Sequence, residues 1–175
     1  MKKLKLTELN RLSIEEYSNA VKPEVVIVLD NLRSGFNVGS VFRSLDCFGF
    51  PEVILCGITP KPPHKEIFKT AIGAQFSIDW SYSESVLEAC HLLKNKGYQL
   101  IGIEQTSKSV FLKDLKLDKD KKYAIILGNE VDGLSVALLP ILDRAVEIEQ
   151  FGTKHSLNVS VCAGVVIYEL NKHLR

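Results

Sequence analysis

The stretch Val25–Leu29 (VVIVL) decides the fold, because a run of apolar, mostly β-branched residues is typical of a strand buried on both faces. Tyr123–Leu127 (YAIIL) is a second run of this kind. Three more strands are predicted at Val53–Ile58, Tyr98–Ile103 and Ala145–Ile148, and stretches with helical spacing lie between them. Strands that alternate with helices predict an α/β fold, with a mainly parallel sheet and helices on both of its faces.

Capping residues predict where the helices begin and end. Apolar residues recur at helical spacing over residues 37–49, with Asn37 as the N-cap and Gly49 directly after the end. Ser156 is predicted to cap a C-terminal helix over residues 157–174. The other predicted elements are helices at 65–72 and 85–97, a weak strand at 76–80, a Lys-rich surface loop at 106–122, and a brief helix at 134–142 that Pro140 interrupts.

Length and charge limit the possible functions only broadly. The chain has 175 residues, 46% of them hydrophobic, which predicts a single domain over residues 1–175 with a short N-terminal helical extension at 1–22. Its 22 basic and 21 acidic residues give a net charge of only +1. A nucleic-acid binder of this composition would need local clusters of basic residues, or a dimer that joins two modest patches.

The cysteines and the N-terminus indicate the compartment. The four cysteines are far apart and each lies in an apolar stretch, so they are predicted to be core residues rather than disulfide or zinc ligands. No metal site is expected. The N-terminus lacks the apolar run of a secretory signal, and no segment has the length of a membrane span. We therefore expect a cytoplasmic protein with no membrane association.

Ligands of parallel α/β sheets bind beyond the carboxyl ends of the strands. The loop after the first strand leads into Asn37-Val-Gly39-Ser-Val-Phe-Arg43. Gly39 and Arg43 are four residues apart, so the Arg43 side chain is predicted to pass over the bare Gly39 position toward the strand end. The alternative is a solvent-facing arginine on an ordinary amphipathic helix.

Two further polar motifs follow later strands. Gly128–Leu134 (GNEVDGL) places two glycines and two carboxylates in one tight loop, although an ordinary surface turn has the same composition. Ser156–Ser160 (SLNVS) begins the last helix, and a simple N-cap would account for Ser156 alone. The small residues that follow, up to Val166, would allow another helix to approach closely, including one from a second subunit.

These three motifs, in this order, resemble the SpoU (TrmH) family of RNA methyltransferases in the SPOUT superfamily, over about Glu24 to Tyr168. The resemblance implies 2′-O-methylation of a ribose in RNA, with S-adenosyl-L-methionine as the cofactor. It also implies a SPOUT-type fold with a C-terminal trefoil knot, and a homodimer with the site near the subunit interface. No general rule of chain topology would have predicted a knot.

The resemblance also assigns roles to residues of this chain. Arg43 matches the catalytic arginine and Asn37 its supporting amide, while Glu130 and Asn158 match the other polar catalytic positions. The implied cofactor contacts are Ile103, Glu104, Gly128, Asn129, Ile148, Ser156 and Leu157. One departure is that Ile148-Glu149-Gln150 stands where the family usually has Ile-Pro-Met, near the expected adenine position.

Arginine stays protonated in proteins, so Arg43 is unsuited to act as a base. Our hypothesis is that it stabilises the developing alkoxide and binds the adjacent phosphate, which accepts the proton. Arg43, Lys154 and His155 are the candidate RNA contacts, although a solvated surface charge remains the alternative for the last two. A single compact domain favours tRNA over rRNA as the substrate.

Two other classes of function compete with this interpretation. A dinucleotide-dependent oxidoreductase would need a G-x-G-x-x-G turn after the first strand, where this chain has DNLRSGFN. A non-catalytic RNA-binding protein that kept the fold is the second alternative. Glu149 keeps that alternative open, because it changes the expected cofactor loop.

Overall fold

Seven strands form one sheet in the computed structural model, which describes residues 1–174. The strands are β1 (Val25–Asp30), β2 (Glu52–Cys56), β3 (Asp79–Ser83), β4 (Tyr98–Ile103), β5 (Val110–Phe111), β6 (Lys122–Leu127) and β7 (Arg144–Glu147). Their order across the sheet is β3-β2-β1-β6-β4-β7-β5, and every pairing is parallel. The predicted parallel α/β fold is confirmed.

Helices cover both faces of this sheet. They are α1 (Ile14–Asn19), α2 (Gly35–Phe48), α3 (Lys65–Ala71), α4 (Val86–Asn95) and α5 (Val159–Leu174). Helices α2, α3 and α5 pack on one face, and α4 packs on the other together with a short 3-10 helix, Val136–Ile141. No helix of the described chain, residues 1–174, is long and apolar enough to cross a bilayer.

Strand β1 lies near the middle of the sheet, and this position explains why its sequence is apolar without alternation. Val25, Ile27 and Leu29 point into the core that β1 shares with α2 and α5. Val26 and Val28 point into the core on the α4 side. Because a strand covered on both faces has no solvent side, each position along it favours an apolar residue.

The two predicted N-caps are wrong, although both helices exist. Helix α2 begins at Gly35, because the Ser34 side chain accepts the N–H of Asn37 at 3.3 Å and serves as the cap. Its end at Gly49, with φ of 70°, is confirmed. Helix α5 begins at Val159 rather than after Ser156. Serine and asparagine are equally good caps, so composition alone does not choose between neighbouring candidates.

The Asn158 side chain takes the cap position of α5. Its Oδ1 atom accepts the N–H of Ser160 at 2.9 Å and the N–H of Val161 at 3.4 Å. Ser156 and Leu157 therefore lie in an exposed segment before the helix. This difference moves Ser156 from the predicted cap, and Leu157 from the predicted first turn, to the lining of a cavity described below.

Three short elements also differ from the sequence predictions. The strand expected at 76–80 is β3, which starts at Asp79 after a 3-10 turn. The segment 106–122, expected to be only loop, contains the two-residue edge strand β5. The helix expected at 134–142 is a 3-10 helix, Val136–Ile141. Two residues are too few to show alternation, which is why β5 was missed. The trefoil knot stays a prediction.

Candidate active site

Loops at the carboxyl ends of β4, β6 and β7 surround a cavity of about 270 Å³. Ile103 and Glu104 reach it from the end of β4, and Gly128 and Asn129 from the end of β6. The segment after β7 contributes Ile148, Ser156 and Leu157. The structure thus brings together all seven residues that the resemblance assigned to the cofactor.

A chain of hydrogen bonds joins the three sequence motifs at the rim of this cavity. The Nδ2 atom of Asn37 donates to the Oε1 atom of Glu130 at 2.7 Å. The Nδ2 atom of Asn158 donates to the Oδ1 atom of Asn37 at 3.2 Å. One residue from each motif takes part, so three segments that are distant in sequence meet as predicted.

Glu130 lies at the N-terminus of α2, where unpaired backbone N–H groups favour a negative charge. Burial by itself raises the pKa of Glu130, but the hydrogen bond from Asn37 and those from the backbone N–H groups of Arg33 and Ser34 outweigh it and lower the pKa. Glu130 is therefore a carboxylate at neutral pH. It acts as a hydrogen-bond acceptor and is unsuited to donate a proton.

The loop Gly128–Leu134 is closed by its own backbone. The N–H of Asn129 donates to the carbonyl of Gly133 at 3.0 Å, and the N–H of Gly133 donates back to Asn129 at 3.2 Å. A Cβ atom on Gly128 would lie only 2.1 Å from the carbonyl carbon of Gly133. The close backbone approach that requires glycine at position 128 therefore comes from the loop itself.

Two carboxylates tie this loop to neighbouring strands. Asp30, which is fully buried at the end of β1, accepts the N–H of Ser135 at 2.7 Å. Glu104, at the end of β4, accepts the N–H of Leu134 at 2.9 Å. Asp30 was not singled out from the sequence. An acidic residue that directly continues a buried strand was the available signal.

Arg43 lies outside the cavity, and the predicted path of its side chain over Gly39 is wrong. Gly39 instead packs against α3, because a Cβ atom there would lie 2.2 Å from Thr70 Oγ1 and 2.5 Å from the Ile67 carbonyl oxygen. Six residues along a helix rotate a side chain by about 240°. Arg43 therefore faces away from Asn37, and it is exposed to solvent.

A second depression of about 700 Å³ contains Arg43. Its charged lining residues are Arg11, Lys22, Arg43 and Asp46, so positive charge predominates, and we call it the basic groove. The N-terminal segment, α2 and the turn after α3 form its walls. Arg11 and Lys22 were not predicted from the sequence, because nothing local shows that the N-terminal segment packs beside α2.

Lys154 and His155 lie next to the cavity without lining it. Both are exposed, in the segment between β7 and α5. The carbonyl oxygen of His155 accepts a hydrogen bond of 2.7 Å from the side-chain amide of Gln105, which does line the cavity. The position of both residues is compatible with contact to a ligand that extends out of the cavity.

The charge of the cavity discriminates between classes of ligand. Glu104, Glu130 and Glu147 line it, and among residues 1–174 no lysine, arginine or histidine does. We call it the acidic cavity. Carboxylates attract a ligand with positive charge and repel the pyrophosphate of a dinucleotide. Glu147 was missed, although its place at the end of a strand gave a signal.

Part of the remaining lining is apolar, and its one thiol is unreactive. Ile103, Leu127 and Ile148 provide aliphatic walls suited to a planar base. Burial, with a smaller effect from Glu104, raises the pKa of Cys162 to about 11, so the thiol stays protonated and is a poor nucleophile. Aliphatic walls and carboxylates together fit S-adenosylmethionine, which carries an adenine, a sulfonium and an ammonium group.

Similar proteins were found among curated sequences. A tRNA (guanosine(18)-2′-O)-methyltransferase from Thermus thermophilus is 29% identical over 170 residues, covering 95% of this chain and 84% of the relative. An enzyme of the same name from Saccharomyces cerevisiae is 33% identical, but the match covers 84% of this chain and only 10% of the relative. A 23S rRNA (guanosine-2′-O-)-methyltransferase from Neisseria meningitidis is 28% identical, and the match covers 93% of this chain and 64% of the relative.

Solved structures share the fold. An rRNA methyltransferase from Sinorhizobium meliloti with AdoMet bound has a TM-score of 0.79 and 26% identity. The match covers 91% of this chain, which spans 60% of the length of that structure. A TrmH/SpoU tRNA modifying enzyme from Aquifex aeolicus has a TM-score of 0.81 at 22% identity, and the match covers 91% of this chain and 80% of that structure. Residues 24–168 match the SpoU rRNA Methylase family, and the chain belongs to that family.

Proposed function

We propose that this chain transfers the methyl group of S-adenosylmethionine to a ribose 2′-hydroxyl in RNA, with tRNA favoured over rRNA as the substrate. The observation that carries the proposal is the Asn158–Asn37–Glu130 hydrogen-bond chain at the rim of the acidic cavity. Family membership supports the reaction class. The preference for tRNA rests on relatives named as tRNA methyltransferases, including one whose length this chain largely covers.

When bound, the cofactor supplies an electrophilic methyl group, so the protein must mainly position the ribose and assist removal of its proton. Asn37 is held from both sides, donating to Glu130 and accepting from Asn158. Its carboxamide orientation is therefore fixed before substrate arrives. Glu130 stays ionised and holds this amide in place at the start of α2.

We infer that Arg43 acts across a homodimer contact. On α2 the exposed residues Phe36, Arg43 and Cys47 recur at helical spacing. Helix α5 packs beside α2 and exposes an apolar stripe: Val161 at 53%, Val165 at 40% and Tyr168 at 53%. A two-fold contact through this joint surface would bury the stripe and carry each Arg43 to the other protomer.

In that arrangement the Arg43 guanidinium faces the target ribose and its adjacent phosphate. Because arginine keeps its proton, it stabilises the developing alkoxide, and the phosphate accepts the hydroxyl proton. Lys154 and His155 extend the RNA contact beyond the cavity rim. The reaction takes place in the cytoplasm, which is consistent with the four free thiols of the chain.

The proposed function is tested with purified protein, methyl-labelled S-adenosylmethionine, and separate pools of unmodified tRNA and rRNA. Mass spectrometry of the digested RNA should show a 2′-O-methylnucleoside, mainly in the tRNA pool. Base methylation, or no transfer to either pool, contradicts the proposal. Transfer to rRNA alone contradicts only the preference for tRNA.

The dimer is tested by sedimentation of the wild type and of Val165→Glu. The apolar stripe predicts a dimer for the wild type and a shift toward monomer for the variant, because the new carboxylate would be buried without a partner. Lys119→Glu, which changes an exposed lysine in the turn before β6, is the control and should stay dimeric. A monomeric wild type contradicts the inference.

A further inference from the structure

The segment after β7 forms one wall of the acidic cavity but has little backbone support. The pairing of β7 with β5 ends at the Phe111–Glu147 pair. Beyond it, no backbone–backbone hydrogen bond is made by residues 150–154 within the described part of the chain. The positions of Ile148 and Gln150, which line the cavity, must therefore be fixed largely by side chains.

Two acidic side chains of this segment contact the stretch 109–113. Ile148 and Gln150 face the cavity. Glu147, which also reaches the cavity, lies 3.0 Å from Ser109 Oγ, and Glu149 forms an ion pair of 2.6 Å with Lys113 Nζ. Both contacts go to the stretch that contains β5. The Glu149–Lys113 ion pair continues this attachment two residues past the end of the strand pairing.

We propose that Lys113 is a positioning residue for the cofactor site: through its ion pair with Glu149 it holds Ile148 and Gln150 in place against S-adenosylmethionine. Lys113 does not line the cavity itself. The proposal rests on the proposed function in one respect, that this cavity takes the cofactor. It also gives Glu149 a role at the position where the resemblance leads us to expect a rigid proline.

The expected effect is modest, because the ion pair is accessible to solvent. The Lys113 side chain is 61% exposed and that of Glu149 is 27% exposed. Ion pairs at such sites are weak and are screened by salt. Loss of the pair should therefore weaken cofactor binding by about two- to fivefold at low ionic strength, and by less at high ionic strength.

Calorimetric titration with S-adenosylmethionine tests the proposal. Lys113→Ala should raise the Kd, and the exchanged pair of Lys113→Glu with Glu149→Lys should restore most of the affinity. Lys119→Ala, which removes an exposed lysine from the same 106–122 segment, should bind like the wild type. Equal affinity of Lys113→Ala and Lys119→Ala, or no recovery in the exchanged pair, overturns the proposal.

Hydrogen exchange of the ligand-free protein tests the positioning role of the Lys113–Glu149 ion pair without the cofactor. Amides of residues 148–150 should exchange faster in Lys113→Ala than in the wild type, while those of β6 remain unchanged. If the wild type binds no S-adenosylmethionine, the assignment of the cavity to the cofactor fails. The exchange experiment still shows whether the Lys113–Glu149 ion pair holds residues 148–150 in place. Unchanged exchange at residues 148–150 overturns the positioning role of Lys113.

Discussion

The two depressions of the protomer carry opposite charge. The acidic cavity has three carboxylates in its lining and, among residues 1–174, no basic side chain. The basic groove has Arg11, Lys22 and Arg43 against the single carboxylate of Asp46. The first suits a cationic cofactor and the second suits RNA phosphates. If the proposed function is correct, the two halves of the methyl-transfer site lie apart in one protomer, and the proposed dimer would join them.

Removal of Arg43 should have the largest effect, because it should reduce methyl transfer strongly and leave cofactor binding unchanged. Arg43→Ala is expected to lower the rate of methyl transfer by at least about 10²-fold, as is typical when a group that stabilises charge in the transition state is lost. The Kd for S-adenosylmethionine should stay close to that of the wild type, since Arg43 does not line the acidic cavity. Single-turnover kinetics and calorimetry measure the two quantities, and transfer near the wild-type rate refutes the role.

A change in the Gly128 loop should damage the acidic cavity and leave the basic groove intact. In Gly128→Ala the new methyl group would clash with the Gly133 backbone, which should cost about 1–3 kcal/mol of stability. Gly152→Ala is the matched control, because a Cβ atom there would meet no atom of the described chain within 4 Å, apart from its two chain neighbours. Chemical denaturation compares them, and equal stability of the two variants would show that the loop adapts.

The pH dependence of stability should reveal the Glu130 contact. The pKa of Glu130 is lowered in the folded protein, so its contribution is fully present above the ordinary value of 4.5 and is lost as the pH falls through the lowered pKa. Glu130→Gln lacks this titration. The difference in free energy of unfolding between wild type and variant should therefore shrink at acid pH. A difference that stays constant down to about pH 3 contradicts the assigned hydrogen bonds.

The smallest effect is expected in the basic groove. Arg11→Ala should weaken RNA binding several-fold. The slope of the logarithm of the RNA-binding constant against the logarithm of salt concentration should become shallower by about 0.7–0.9, as expected for one lost phosphate contact. Affinity for S-adenosylmethionine should not change. Fluorescence titrations at several salt concentrations measure the slope. An unchanged slope would exclude Arg11 from the RNA path.

The sequence predicts the parts of this site that depend on strands. Buried strands such as β1 have a pattern that only a covered sheet explains, and loops after parallel strands meet at one edge. Asn37, Glu130 and Asn158, which the resemblance assigned to the site, lie in segments that follow such strands, and they form one hydrogen-bond chain. The cofactor loops were implied by the resemblance to the family, and the structure places them at the carboxyl ends of β4, β6 and β7.

The orientation of Arg43 was not predictable, because it depends on how two helices pack. The spacing of Gly39 and Arg43 was consistent with a side chain crossing the glycine, but α3 occupies that space. Which helix covers a glycine is a tertiary contact that no local pattern encodes. The same holds for the N-terminal segment beside α2, which creates the basic groove.

Mixed dimers test the central claim, that the acidic cavity of one protomer is completed by Arg43 of the other. Arg43→Ala and Glu130→Ala should each be inactive alone. After subunit exchange at equal amounts, half of the dimers pair the two variants and hold one intact site each, so about a quarter of the wild-type methyl transfer should return. Activity no greater than the sum of the separate variants would show that the arginine does not act between subunits.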